Sequence, residues 1–263
     1  MKKTYKIKSL ISVIPVLVLL SVQSILADVK LPEILSSNMV LQRNTNVILW
    51  GWADANEKVY IEASWLKESL NIQADKSGNW KIEVKTTNSK EPQTIKFKGE
   101  ESTILLDNVL FGEVWLCSGQ SNMRQPLKGY KGQPVFGGAM AIAKSTNSKL
   151  RLFSIKENVS GEPLIMSSWG GTPIQPWISK ESLSSYKKVD LKEVNPRRLP
   201  TAIFNAMINP ITKFAIKGVL WYQGEANRKE PNVYRELFPV MVKDWRKHWD
   251  IGDFPFYYVQ IAP

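Results

Sequence analysis

A chain of 263 residues with 43% apolar residues has the composition of a globular protein of one or two domains, which sets aside a fibrous or disordered polymer. Its formal charge of +11 includes four lysines of the first 27 residues, and the remainder carries 31 basic against 24 acidic residues, a balance of +7. Those charges alternate in sign, as in residues 187–193, with no basic helix or aromatic–basic stripe, so the chain is not expected to bind nucleic acid.

The chain opens with Lys2, Lys3, Lys6 and Lys8, an apolar run from Leu10 to Val22, and Ile25-Leu26-Ala27 before Asp28. That order predicts a signal peptide over 1–27, a periplasmic or secreted protein, and no stable membrane insertion after cleavage. Cys117 is the sole cysteine, so no intrachain disulfide can form; its apolar surroundings predict a small buried core residue.

Residues 28–108 predict a small all-β sandwich. Strand signals fall at Val47–Trp52, Lys58–Ala63, Trp80–Val84, Thr94–Phe97 and Thr103–Leu106, with Ser77-Gly78-Asn79 as a turn. Trp50, Trp52, Trp65 and Trp80 are expected mainly in its core. From 109 to 263 the texture changes. Strand-like runs at Glu113–Cys117, Leu150–Ile155, Leu164–Ser167, Val219–Tyr222 and Phe256–Ile261 alternate with helical patterns. Thr201–Phe214 predicts a helix capped by Thr201 and disturbed at Pro210. Pro231–Trp249 predicts a helix broken or restarted near Pro239, with Leu237, Met241 and Trp245 facing the core. This alternation predicts an α/β fold with a parallel sheet.

Sites in open parallel sheets form outside the carboxyl ends of the strands. Three such ends carry unusual chemistry: Gly119-Gln120-Ser121-Asn122, Trp169-Gly170-Gly171-Thr172, and Gln223-Gly224-Glu225-Ala226-Asn227. A serine on a tight turn is a candidate nucleophile, although Met123 stands where a nucleophile elbow has its second glycine. Backbone N–H groups at Gly170-Gly171 and the side-chain amide of Gln223 or Asn227 are suitable oxyanion donors.

Gly112–Met123 resembles the nucleophile block of the sialate O-acetylesterase family, a branch of the SGNH-type hydrolases. Ser167–Ile174, Phe204–Met207 with Lys217–Asn227, and Asp253–Pro263 resemble its later blocks, and Leu31–Ala53 is similar to the β domain that precedes them. The resemblance implies an SGNH-type esterase domain over 109–263 and a serine esterase that removes O-acetyl groups from sialic acid or related glycans. By it, Ser121 is the nucleophile. Ser121 N–H, Gly170, Gly171 and Gln223 form the oxyanion hole, and Gln120, Asn122, Glu225 and Asn227 shape the substrate pocket. It implies no metal or other cofactor, and an O-acetylated sugar as partner.

Two departures stand out. The family's Asp-x-x-His acid/base motif is absent from this sequence, and the single histidine, His248, four residues after Asp244, is expected to be a solvated helix residue. Residues 156–164 are also short for a parallel crossover. Both features predict an incomplete esterase domain of low activity, with a non-catalytic carbohydrate-binding remnant as the alternative.

Overall fold

The computed structural model describes residues 29–155, 167–184, 195 and 197–261. The expected signal segment and the shortened link at 156–164 lie outside the described residues.

Seven strands come first: β1 (Val40–Gln42), β2 (Asn46–Trp52), β3 (Lys58–Ala63), β4 (Leu70–Gln73), β5 (Asn79–Lys85), β6 (Gln93–Lys98) and β7 (Thr103–Gly112). They form a five-stranded sheet ordered β1-β7-β6-β3-β4 and a two-stranded sheet of β2 and β5; pairing is antiparallel except between β1 and β7. In β3, Val59, Ile61 and Ala63 point inward while Lys58, Tyr60 and Glu62 face water, the period-2 pattern of a half-buried strand. Trp80 of β5 meets Phe97 of β6 with ring centroids 5.7 Å apart, which packs the two sheets face to face. Trp50 and Trp80 are core residues as expected, whereas Trp52 is exposed and Trp65 is half-buried against Phe111. The Ser77–Asn79 turn is closed by Asp75, whose carboxylate accepts from Ser77 N (2.8 Å) and Asn79 N (2.9 Å); these bonds hold its carboxyl below the usual carboxylate range.

Glu113 joins this region to the next. Gln42 Nε2 (3.0 Å) and Arg43 Nε (2.7 Å) donate to its carboxylate, while Gln42 Oε1 accepts from Val114 N.

The second sheet contains β8 (Trp115–Gly119), β9 (Ser167–Ser168), β10 (Gly218–Tyr222) and β11 (Phe256–Tyr258), ordered β11-β10-β8-β9 and parallel throughout. The α/β class with a parallel sheet is therefore correct. The strand expected at Leu150–Ile155 does not form. Leu150 and Leu152 are exposed, and Arg151 ties the segment to Asn38 and Asn108 beside β1 and β7, while β9 takes the place next to β8.

Three α-helices are described: α1 (Gly138–Ala143), α2 (Lys180–Ser184) and α3 (Pro231–Trp249). Contrary to expectation, α3 runs unbroken through Pro239. Proline removes the hydrogen bond to the carbonyl four residues back, here Arg235, and both residues are exposed, so water can serve that carbonyl. Leu237, Met241 and Trp245 are fully buried as expected, and Trp245 packs edge-on against Trp221 of β10 (5.6 Å). Arg246, Lys247 and His248 occupy the last turn, where cations complement the helix dipole.

The helix expected at Thr201–Phe214 is instead a wide π-turn at Phe204–Ile208 followed by a 3-10 turn at Asn209–Ile211. Pro210 has no N–H and cannot continue an α-helix. Thr201 is in the left-handed region (φ 66°) and not an N-cap. Cys117 is only half-buried, and desolvation pushes its thiol pKa up.

Candidate active site

The site is built where β8, β9 and β10 end. Register places Tyr222 opposite Gly119, and Ser168 opposite Gly119 on the other side, so the three following loops leave the sheet at one level. Gly119 has φ 136°, and a Cβ there would lie 2.1 Å from Tyr222 O. Only glycine allows β8 to turn this tightly against β10. Gln120 N then donates to Tyr222 O (2.9 Å) and Trp169 N to Gly119 O (2.9 Å), tying the first loop to both neighbours.

Ser121 follows directly, opening a 3-10 turn over Ser121–Arg124. It is exposed, and among the described residues its hydroxyl has no hydrogen-bond partner. Gly170 sits beside it: a Cβ on Gly170 would lie 3.5 Å from Ser121 Cβ. Gly171 (φ 76°) faces open space. Asn122 Nδ2 donates to Glu225 Oε1 in a short contact, bringing the first and third loops together at the rim.

The other amides lie underneath. Gln120 is buried, and its Oε1 accepts from Gly224 N (3.5 Å) and Ala226 N (3.4 Å). Gln223 is buried, with Nε2 donating to Thr172 O (2.8 Å) and Asn227 Oδ1 (3.2 Å). Asn227 is buried and also accepts from Ile174 N (2.8 Å). These three side chains brace the loops from below and do not stand on the open surface with Ser121, Asn122 and Gly170. Ser168 Oγ, Trp169 Nε1, Gln223 Oε1 and Glu225 Oε2 are buried polar atoms without partners among the described residues. Such groups concentrate at functional sites.

Below Gln223, Tyr234 Oη donates to Gln223 O (2.9 Å) and accepts from Trp221 Nε1 (3.2 Å). Burial is the main cause that pushes its phenol pKa up to about 12, so it remains a neutral donor at ordinary pH.

Two supports escape sequence reasoning. Thr172 Oγ1 donates to Trp169 O (2.8 Å) and accepts from Trp177 Nε1 (3.1 Å), fixing the glycine turn. Asp244, buried on α3, accepts from Ser179 N (2.7 Å), Ser179 Oγ (2.6 Å) and Ser182 Oγ (2.6 Å), anchoring the chain that follows that turn. An aspartate on the apolar stripe of Leu237, Met241 and Trp245 is the signal that could have found it. His248, expected to be solvated, is half-buried: its Nδ1 lies 2.8 Å from Asp244 O and its ring packs against Phe204. Among the described residues, no cluster of three or more histidine, cysteine or acidic side chains could hold a metal ion.

A family model described as carbohydrate esterase, sialic acid-specific acetylesterase, matches residues 134–263. Sialate O-acetylesterase of Homo sapiens is 26% identical over 296 residues, covering 87% of this chain and 56% of that protein. The Mus musculus protein of the same name is 23% identical over 321 residues, covering 85% and 58%. The crystal structure of a carbohydrate acetylesterase from Xanthomonas citri superposes with a TM-score of 0.77 at 27% identity, covering 89% of this chain and 60% of that one. The chain thus spans a little over half the length of these relatives. The chain that brings these loop ends together around Ser121 is thus similar, in sequence and in fold, to sialate O-acetylesterases and to a carbohydrate acetylesterase.

Proposed function

We propose that the chain carries the nucleophile half of an O-acetyl esterase site for sialic acid or related acetylated glycans, in an SGNH-type esterase domain over 109–263 preceded by an all-β sandwich domain over 28–108. The single observation that carries this reading is the juxtaposition of Gly170 and Ser121, close enough that a Cβ on Gly170 would meet Ser121 Cβ at 3.5 Å, on loops that follow adjacent strands. Ser121 Oγ would attack the acetyl carbonyl carbon as its proton passes to an external base such as imidazole, forming a tetrahedral oxyanion; collapse breaks the bond to the sugar oxygen, which takes that proton and leaves as the hydroxyl, and water then releases acetate from the acyl-serine. The backbone N–H groups of Ser121, Gly170 and Gly171 are the proposed oxyanion donors, preorganised because Gln223 holds the Thr172 carbonyl and Gln120 holds the third loop. Asn122 and Glu225 form the rim that meets the sugar. An exported location, periplasmic or secreted, accords with the leader-like sequence of residues 1–27.

The experiment is acetate release from O-acetyl sialic acid and from acetylated xylan, with and without added imidazole as an external base. Release that disappears in S121A supports the reading, and the preferred substrate identifies the sugar. Sugar binding with no Ser121-dependent release in either condition would favour a carbohydrate-binding role.

A further inference from the structure

A second concave surface lies away from these loops. A cavity of about 510 Å³ is walled by β1, β7 and the segment at 148–151. Gly112 in its wall precedes the N-terminal end of β8, whereas Ser121 follows the C-terminal end. It is lined by the half-buried Leu110, Phe111 and Arg151 and, towards solvent, by the exposed Pro92, Lys90 and Lys149. Among the described residues, no carboxylate lines it. Among the described residues, none of the three cations has an acidic partner.

Arg151 is held in place without being neutralised. Its Nε donates to Ser148 O (3.2 Å), Nη1 to Asn38 O (3.1 Å) and Nη2 to Asn108 Oδ1 (3.3 Å), all uncharged oxygens. A guanidinium has five N–H donors, so Nη2 keeps a second hydrogen for an incoming anion. A fixed cation loses less conformational entropy on binding than a free side chain does.

We infer that this cavity is a second carbohydrate-binding site that takes a carboxylate-bearing oligosaccharide, with sugar C–H faces on Leu110 and Phe111 and carboxylates at Lys90, Lys149 and Arg151. The choice of a sugar chain rests on the esterase reading above; the acidic character rests on the charge of the rim. Its role would be to hold an acidic glycan on the protein, independently of the chemistry at Ser121.

The test is calorimetric titration of the full chain with hexagalacturonate and with its methyl-esterified, uncharged counterpart. Hexagalacturonate should bind about tenfold or more tightly than the ester, and should weaken as salt rises from about 0.05 M to about 0.2 M. K90E/K149E should lose about tenfold or more in affinity while keeping its melting temperature and its rate on nitrophenyl acetate; S121A should bind as the parent does. Equal affinity for both oligosaccharides, or unchanged binding by K90E/K149E, would overturn the inference. Hexaglutamate binding as tightly as hexagalacturonate would also overturn it, because the surface would then select charge alone. Nitrophenyl acetate turnover reports separately on Ser121, so loss of the esterase reading and loss of this site are distinguishable.

Discussion

A Cβ on Gly170 would stand 3.5 Å from the Cβ of Ser121, the distance of an ordinary van der Waals contact. The second loop therefore closes on the serine with room for a methyl group and for little more. G170A should fold normally and keep most Ser121-dependent ester hydrolysis. G170V should fold too, but its branches would intrude on the space beside the serine and displace the acetyl group, costing on the order of 100-fold in kcat/KM. Steady-state rates on nitrophenyl acetate, with melting curves as the control for folding, check both.

Gly119 answers to a harsher constraint. Its φ is 136°, and any methyl carbon added there would stand 2.1 Å from Tyr222 O, which leaves no room for a side chain. G119A should lose about 3 kcal/mol of stability, or roughly 10 °C in melting temperature, by moving β8 away from β10. Urea and thermal unfolding measure this directly.

Asp244 gathers three donors from Ser179 and Ser182 in a buried pocket. D244A strands those donors and should cost about 3 kcal/mol, whereas D244N keeps one acceptor oxygen and should cost less. The order of the two variants in urea unfolding separates lost hydrogen bonds from lost packing.

Tyr234 gives a pH prediction with a definite sign. Its folded pKa, about 12, lies above the ordinary phenol value of 10.0. Its contribution to stability is therefore fully present below pH 10 and is lost as pH rises from about 10 towards 12, because the unfolded state ionises first. Y234F should be less stable at neutral pH, with Gln223 O and Trp221 Nε1 left without this partner, and should show a shallower alkaline decline. Denaturant midpoints between pH 8 and about 11.5 resolve the two slopes.

Much of this arrangement is legible in the amino-acid order, and the limits have physical causes. Lys58–Ala63 reads as a strand to the residue because every second side chain is apolar and one face is buried. The Ser121, Gly170 and Gln223 loops stand out because glycines and amides follow apolar runs. Leu150–Ile155 misleads because its apolar residues imitate a strand while Arg151 draws the chain to Asn38 and Asn108, partners more than 40 residues away. The sequence places Gln223 in the site region, but only three-dimensional contacts reveal that its Nε2 is committed to Thr172 and Asn227. Pro239 suggests a helix break because the sequence does not show that Arg235 and Pro239 both lie on the exposed face of the helix.

The most direct measurement is the rate of nitrophenyl acetate hydrolysis by the parent chain and by S121A across an imidazole series, with acylated peptides identified by mass spectrometry. If the hydroxyl beside Gly170 is the acyl acceptor, imidazole should raise the parent rate well above that of S121A, and the acetyl group should be found on Ser121. Equal rates for the two proteins, or acetyl found only on other residues, would contradict it.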